Sequence, residues 1–182
     1  IPEVVAVSAH GDDAEPFLMP HIGPSCGGPV FREEGEAVLR CTNAECPAQM
    51  LRHLIHFTSR DAMDIEGLGP AVLEQLSEKG LIKDITDLYT LKVEEVASLY
   101  KNGQKSGENL VAALEKSKEN PLSRLIFAFG IRHIGQKAAK LLSKRFNNMD
   151  NLLNATLEDV LTIDGFGDVM AKAFTDTISL PQ

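Results

Sequence analysis

The chain has 182 residues, 43% of them hydrophobic, three cysteines and a formal net charge of −8. That length and composition suit one or two modest domains able to bury a core, and no run of about 18 apolar residues or basic-then-apolar start points to a membrane span or secretory signal. Three cysteines without such a signal predict a reducing, cytoplasmic compartment, where thiols serve as metal ligands or buried hydrophobes.

An acidic balance argues at first against a nucleic-acid partner, so the distribution of charge matters. Residues 1–50 hold eight acids and two bases, whereas residues 121–182 hold six acids and seven bases. Arg124, Arg132, Lys137, Lys140, Lys144 and Arg145 fall within 22 residues. This reads either as a local basic patch or as a solvated helix face.

In chain order, Ile1-Pro2-Glu3-Val4-Val5-Ala6-Val7 is β-branched and strand-like, followed by Asp12, Asp13 and Glu15. A lone strand is unstable, so residues 1–16 are expected to be the end of a domain and linker belonging to a longer protein. Residues 17–50 are rich in turn formers and contain Cys26, then Cys41 and Cys46 four residues apart. That spacing suits a tetrahedral zinc site in a module too small for its own core. The usual fourth ligand position, three residues before Cys26, is Gly23. His21 or water can complete the site; otherwise the three thiols simply pack.

Residues 51–182 carry helical apolar spacing punctuated by four similar turns, Ile65–Gly69, Leu99–Gly103, Ile131–Gly135 and Ile163–Gly167. Their starts lie 34, 32 and 32 residues apart, a period that marks repetition of one small unit. Glycine permits φ > 0 and close backbone approach, and the second glycine opens a helix whose first N–H groups have no partner within it. A phosphate oxygen fits such a positive helix end. A single glycine pair is equally a tight connection between packed helices; four in register read as a helix-hairpin-helix array that holds nucleic-acid backbone without reading bases.

The copies differ. Pro70 follows the first turn and suits the first helical position. The second has Lys101 and Asn102 within the turn, then Lys105 and Ser106; the third has His133 at the first glycine position, then Gln136 and Lys137. The fourth keeps Gly165 and Gly167 but places Asp168 at the helix start, where a carboxylate is expected to cap the helix and repel phosphate. The fourth hairpin is therefore expected to bind DNA least. Gly80 should close the helix after the first turn, Glu115–Pro121 should join two pairs of hairpins, and Thr156 should cap the helix before the fourth. The expected DNA-binding residues are Gly67, Gly69, Gly103, Lys105, Ser106, Arg132, Gly135, Lys137, Lys140, Gly165 and Gly167. The expected metal ligands are Cys26, Cys41, Cys46 and His21.

The predicted fold is mainly α: four tandem helix-hairpin-helix repeats over 51–182, preceded by a zinc-finger module and a short β remnant. The order of Ile-Pro-Glu-Val-Val, a finger ending in Arg40-Cys41-Thr42-Asn43-Ala44-Glu45-Cys46-Pro47-Ala48-Gln49, and four hairpins resembles the C-terminal half of bacterial NAD-dependent DNA ligases. Asp61–Gly69 and Phe129–Gly135 are similar to two of that family's most recognisable segments. The resemblance implies the end of an OB-fold at 1–16, a four-cysteine zinc module, and hairpins that grip the minor groove of nicked duplex DNA. It further implies a bacterial, nucleoid-associated protein, a monomer without membrane attachment.

Departures qualify it. Gly23 stands where the family has a zinc cysteine, and the family's adenylated lysine in Lys-x-Asp-Gly, its NAD-binding residues and its BRCT domain have no counterpart here. The chain is thus expected to be inactive as a ligase alone, its residues only holding DNA, with NAD bound elsewhere in the longer protein. Competing readings are a non-catalytic helix-hairpin-helix module of another repair protein and a helical protein-interaction domain.

Overall fold

The computed structural model describes residues 5–9, 11–15, 18–32 and 37–179. The chain divides into two compact units, Ile1–Cys46 and Pro47–Gln182. In the first, strands β1 (Val30–Phe31) and β2 (Arg40–Cys41) pair antiparallel, Val30 opposite Cys41 and Phe31 opposite Arg40. A further bridge joins Ile22 and Pro29 across the tight turn 23–28, where Gly27 N donates to Gly23 O at 2.9 Å and Gly23 N to Gly28 O at 2.8 Å. Part of the strand expected near the start, Ile1–Val4, lies outside the described residues. Residues 5–9 are exposed and carry no strand pairing.

The second unit is helical: α1 (Pro47–Thr58), α2 (Pro70–Glu78), α3 (Ile85–Leu88), α4 (Val93–Ala97), α5 (Gln104–Ser117), α6 (Leu122–Ala128), α7 (Gln136–Phe146), α8 (Met149–Leu153), α9 (Leu157–Leu161) and α10 (Asp168–Ile178). The helices that follow the four turns, α2, α5, α7 and α10, start 34, 32 and 32 residues apart, so the sequence period is the structural period. None of the helices among the described residues is long and apolar enough to cross a membrane.

The helix ends follow local chemistry. Gly80, at φ +70°, follows α2, and the amides of Gly80 and Leu81 bond back to Ser77 O and Leu76 O, closing the helix as its position predicts. Thr156 caps α9 through a box with Asp159, and Asp84 caps α3 through a box with Asp87. The Asp84 carboxylate accepts from the Thr86 hydroxyl at 2.6 Å and the Thr86 amide at 2.7 Å. These bonds, the hydroxyl foremost, hold its pKa below the usual aspartate value despite some burial.

A depressed carboxyl pKa adds stability above the unfolded value, near 4, that is lost as pH falls through the folded one. Asp84→Ala is therefore expected to cost about 1 kcal/mol at neutral pH, or about 2–4 °C in melting temperature, and less below about pH 3. Thermal melts at the two pH values check this.

Two cores form. Leu54, Phe57, Leu73, Leu76, Leu88, Val96 and Leu110 belong to one, under the first two turns; Ile126, Leu142, Leu152, Val160 and Phe174 belong to the other, under the last two. Of the polar run 115–121, residues 115–117 still belong to α5, with Ser117 buried, and only 118–121 connect α5 to α6. A set of non-local hydrogen bonds fastens the junction. Asn120 donates to Met63 O at 2.7 Å, and Arg124 donates to the carbonyls of Ala62 and Arg60, each at 2.5 Å. In the other direction His53 and His56 reach the α6-terminal carbonyls of Phe129 and Phe127 at 2.9 and 2.8 Å.

Candidate nucleic-acid interface and metal site

Three of the four turns share one backbone geometry. In each, the fourth residue donates its amide to the carbonyl of the first: Leu68 to Ile65 at 3.3 Å, Ile134 to Ile131 at 3.0 Å, Phe166 to Ile163 at 3.0 Å. The residue between them has positive φ: Gly67 at +91°, His133 at +65°, Gly165 at +87°. This is the type II pattern, and histidine is among the few side chains that tolerate it. The apolar pair of each turn is buried, which anchors the loop in its core.

The glycine that follows is the helix N-cap in extended backbone: Gly69 (φ −77°, ψ 168°), Gly135 (−85°, −178°) and Gly167 (−101°, 173°). None makes a side-chain cap bond, and the space where a Cβ would sit is open at all three. The first-turn amides of α7 and α10 therefore have no side-chain cap, and in α2 Ala71 alone offers such an amide, since Pro70 has no N–H and Val72 N donates to Gly69 O at 3.0 Å. That is the arrangement an anion needs at a helix start.

The second turn departs. Lys101, at the third position, has no positive φ, and Gly103 is already helical at φ −85°, ψ −6°. A Cβ on Gly103 would lie 2.2 Å from Ala97 O, and one on Gly107 2.5 Å from Val93 O. These two glycines, four apart on α5, let that helix press directly on α4. Gly103 is buried and serves packing, which corrects its assignment as a backbone-approach glycine; Lys105 and Ser106 are exposed on α5, beyond a turn of different geometry.

Charge refines the ranking. Of the six clustered cations, Arg124 is occupied at the junction, and Arg145 pairs with Asp159 at 3.6 Å and lies over the Phe146 ring. They leave the proposed patch. Lys137, Lys140 and Lys144 are exposed at positions i, i+3 and i+7 of α7, one face of the helix. The second positions of α2, α5, α7 and α10 are Ala71, Lys105, Lys137 and Val169, so Lys137 alone combines a cation with an open type II hairpin. Arg132 is exposed on the same turn.

Asp168 does not cap. It is the first helical residue of α10, exposed, and the helix has no side-chain cap bond, because the capping side chain belongs one position earlier, at Gly167. The expected occupation of the amides by this carboxylate is therefore absent. The sequence reading named Gln136 but passed over Ala71, and the amides of both lie in the first turns of α7 and α2. Helix register after each N-cap is the signal that finds them.

In the first unit, the sulfurs of Cys26, Cys41 and Cys46 lie within 4.8 Å of one another, Cys26 and Cys41 at 3.4 Å. Tetrahedral zinc with sulfurs about 2.3 Å away needs sulfur–sulfur edges of about 3.8 Å, which this cluster meets with small adjustment. Gly28 N donates to Cys26 Sγ at 3.4 Å, and this bond, with the Asn43 side chain and the other two thiols, lowers the Cys26 pKa to about 7. At Cys41 the Asn43 amide acts to lower the pKa, but Cys26, burial and Cys46 together raise it. A Cβ on Gly23 would sit 3.7 Å from Cys41 Sγ, so the backbone at 23 faces the cluster without supplying a donor. His21 is exposed and outside the cluster; what it contributes is its carbonyl, accepting from Val30 N at 3.1 Å.

Comparison with known families follows this division. Residues 24–48 match the NAD-dependent DNA ligase C4 zinc finger domain, 59–116 a SAM-like helix-hairpin-helix tandem and 124–182 a helix-hairpin-helix motif. Three similar proteins are each named DNA ligase. That of Acetivibrio thermocellus is 56% identical over 95% of this chain and 27% of its own length; that of Heliobacterium modesticaldum is 49% identical over 100% and 27%. The third, from Bacillus subtilis, is 49% identical over 95% and 26%.

The chain is homologous to a segment of DNA ligases. It spans about a quarter of the length of these ligases. The ligase finger is of four-cysteine type; the three thiols fit three corners of such a zinc site, and no other His, Cys, Asp or Glu among the described residues joins them.

Proposed function

We propose that this chain is the DNA-gripping region of an NAD-dependent DNA ligase, the enzyme that seals nicks in duplex DNA. The observation that carries the reading is the threefold recurrence of an open, positively polarised helix start on an anchored type II turn. Amides at the starts of α2, α7 and α10 hold phosphate oxygens, and the turns lie low enough, with no Cβ at the N-cap, for the sugar–phosphate backbone to come close. Such contacts carry no base information, which suits an enzyme that must act on nicks in any sequence. The expected setting is the minor groove, with the adenylation chemistry and NAD belonging to residues outside this chain. Zinc, held by Cys26, Cys41 and Cys46, would order a module too small to fold on an apolar core.

The ligase finger immediately ahead of the hairpins favours this reading over a module of some other repair protein. Lys137→Ala is expected to weaken binding to nicked duplex several-fold and to reduce the salt slope by about one, while leaving stability nearly unchanged. Asp168→Asn should leave binding equal or tighter, since it removes a negative charge from an open helix start. Fluorescence anisotropy at two salt concentrations tests both. Unaltered binding by Lys137→Ala together with weaker binding by Asp168→Asn contradicts the proposed interface.

A further inference from the structure

We infer that the fourth coordination position of the three-thiolate metal site is open to an exogenous donor, so that the finger binds a small thiolate or imidazole ligand through its metal. This rests on the zinc reading above and adds what occupies the corner that none of the described residues fills.

The geometry is specific. The three sulfurs converge, and they come from two tight turns, 23–28 and 41–46, each held by its own backbone bonds: Gly23 N to Gly28 O at 2.8 Å, Gly27 N to Gly23 O at 2.9 Å, and Cys46 N to Asn43 O at 3.2 Å. The missing corner is therefore a place in a formed turn rather than a gap in a loose loop. Position 23 is turned toward it, because a Cβ there would meet Cys41 Sγ at 3.7 Å, Gly28 O at 3.5 Å and Val30 Cγ1 at 3.7 Å, all ordinary contacts. A cysteine side chain at 23 would thus be accommodated, and glycine leaves that volume unfilled. No other His, Cys, Asp or Glu among the described residues joins the cluster. Cys26 and Cys41 are half-buried and Cys46 is buried, so two of the three thiols are partly open to solvent.

The coordination chemistry balances. Three thiols give three protons to solvent as a divalent ion binds, leaving a centre of net charge −1 with three sulfur donors and one open position. Zinc and cobalt(II) favour four donors in a tetrahedron, and three protein ligands plus an exchangeable fourth is the pattern of sites that take an external ligand. A neutral imidazole leaves the charge at −1; a thiol enters as thiolate, releases its own proton to solvent and brings the charge to −2. Neither changes the oxidation state of metal or sulfur.

The test uses the full chain, reduced and loaded with cobalt(II), whose visible spectrum reports coordination number and sulfur count. The unmodified chain should give tetrahedral bands that shift saturably when imidazole or 2-mercaptoethanol is added. His21→Ala should respond in the same way. Gly23→Cys should gain sulfur-to-cobalt charge-transfer intensity and lose the response to both ligands. Size-exclusion chromatography of the loaded chain accompanies the titration. No shift on ligand addition, an equal shift in Gly23→Cys, a response lost in His21→Ala, or a metal-dependent dimer in which a second copy fills the corner each overturns the open-site proposal while leaving metal binding intact. Failure of the unmodified chain to bind cobalt overturns both the proposal and the zinc reading beneath it.

Discussion

Gly103→Ala is expected to lower the stability of the helical unit by about 3 kcal/mol, and the melting temperature by about 6–12 °C, the largest stability loss from any glycine of the four turns. The added Cβ would lie 2.2 Å from Ala97 O and 2.7 Å from Ala97 Cα, and both are backbone atoms that no rotamer change can move. Relief requires α5 to separate from α4, which opens the core around Val96 and Leu110. Gly135→Ala makes the control, because its Cβ would point into open space from an extended backbone that any residue adopts. That change should alter stability by less than about 1 kcal/mol. Chemical or thermal unfolding of the two variants side by side decides whether the second glycine pair is a packing device. Equal losses would remove the distinction drawn between the second turn and the others.

Gly135→Asp should separate binding from stability, moving them in opposite directions. Residue 135 is an N-cap in the β region with no capping bond, so an aspartate there can accept from the amides of the first turn of α7 and should stabilise by a few tenths of a kcal/mol. The same carboxylate occupies the donors meant for phosphate and sets a negative charge against it. DNA affinity is expected to fall about tenfold or more, since a charge-assisted hydrogen bond and a favourable helix-end interaction, together about 1.5–3 kcal/mol, are exchanged for repulsion. Gly69→Asp should behave alike. Gly103→Asp is no such test, as it would disrupt packing first. A melting curve and an anisotropy titration on each variant supply the two readouts.

How far the sequence foretold these outcomes depends on whether the determinant is local. The period of 34, 32 and 32 and the caps at Thr156 and Gly80 were legible because each depends on residues within a few positions of one another. Gly103 was misread since glycine answers two demands, positive φ and the absence of a Cβ, and spacing alone does not say which one applies. Arg124 was counted as an exposed cation because its partners, Ala62 and Arg60, lie 62 and 64 residues away in the chain. Asp168 was different. Its position after Gly167 already identified it as the first helical residue rather than the cap, so the error was one of register and avoidable. At the metal site the sequence found the three cysteines and the missing fourth. It could not tell that His21 stays outside the cluster, its backbone being held by the pairing of residues 21–22 with 29–30 across the turn.

The central claim, that anchored hairpins hold DNA by phosphate at three open helix starts, is tested most directly by the salt dependence of binding of the unmodified chain to a nicked duplex. One phosphate at each of three hairpins gives a slope of log K against log salt of about −3, and steeper if Lys137 and its neighbours add contacts. Affinity should therefore drop more than tenfold, and by about two orders of magnitude for three contacts, between about 50 and about 300 mM salt. Equal affinity at the two ends of that range would contradict the account.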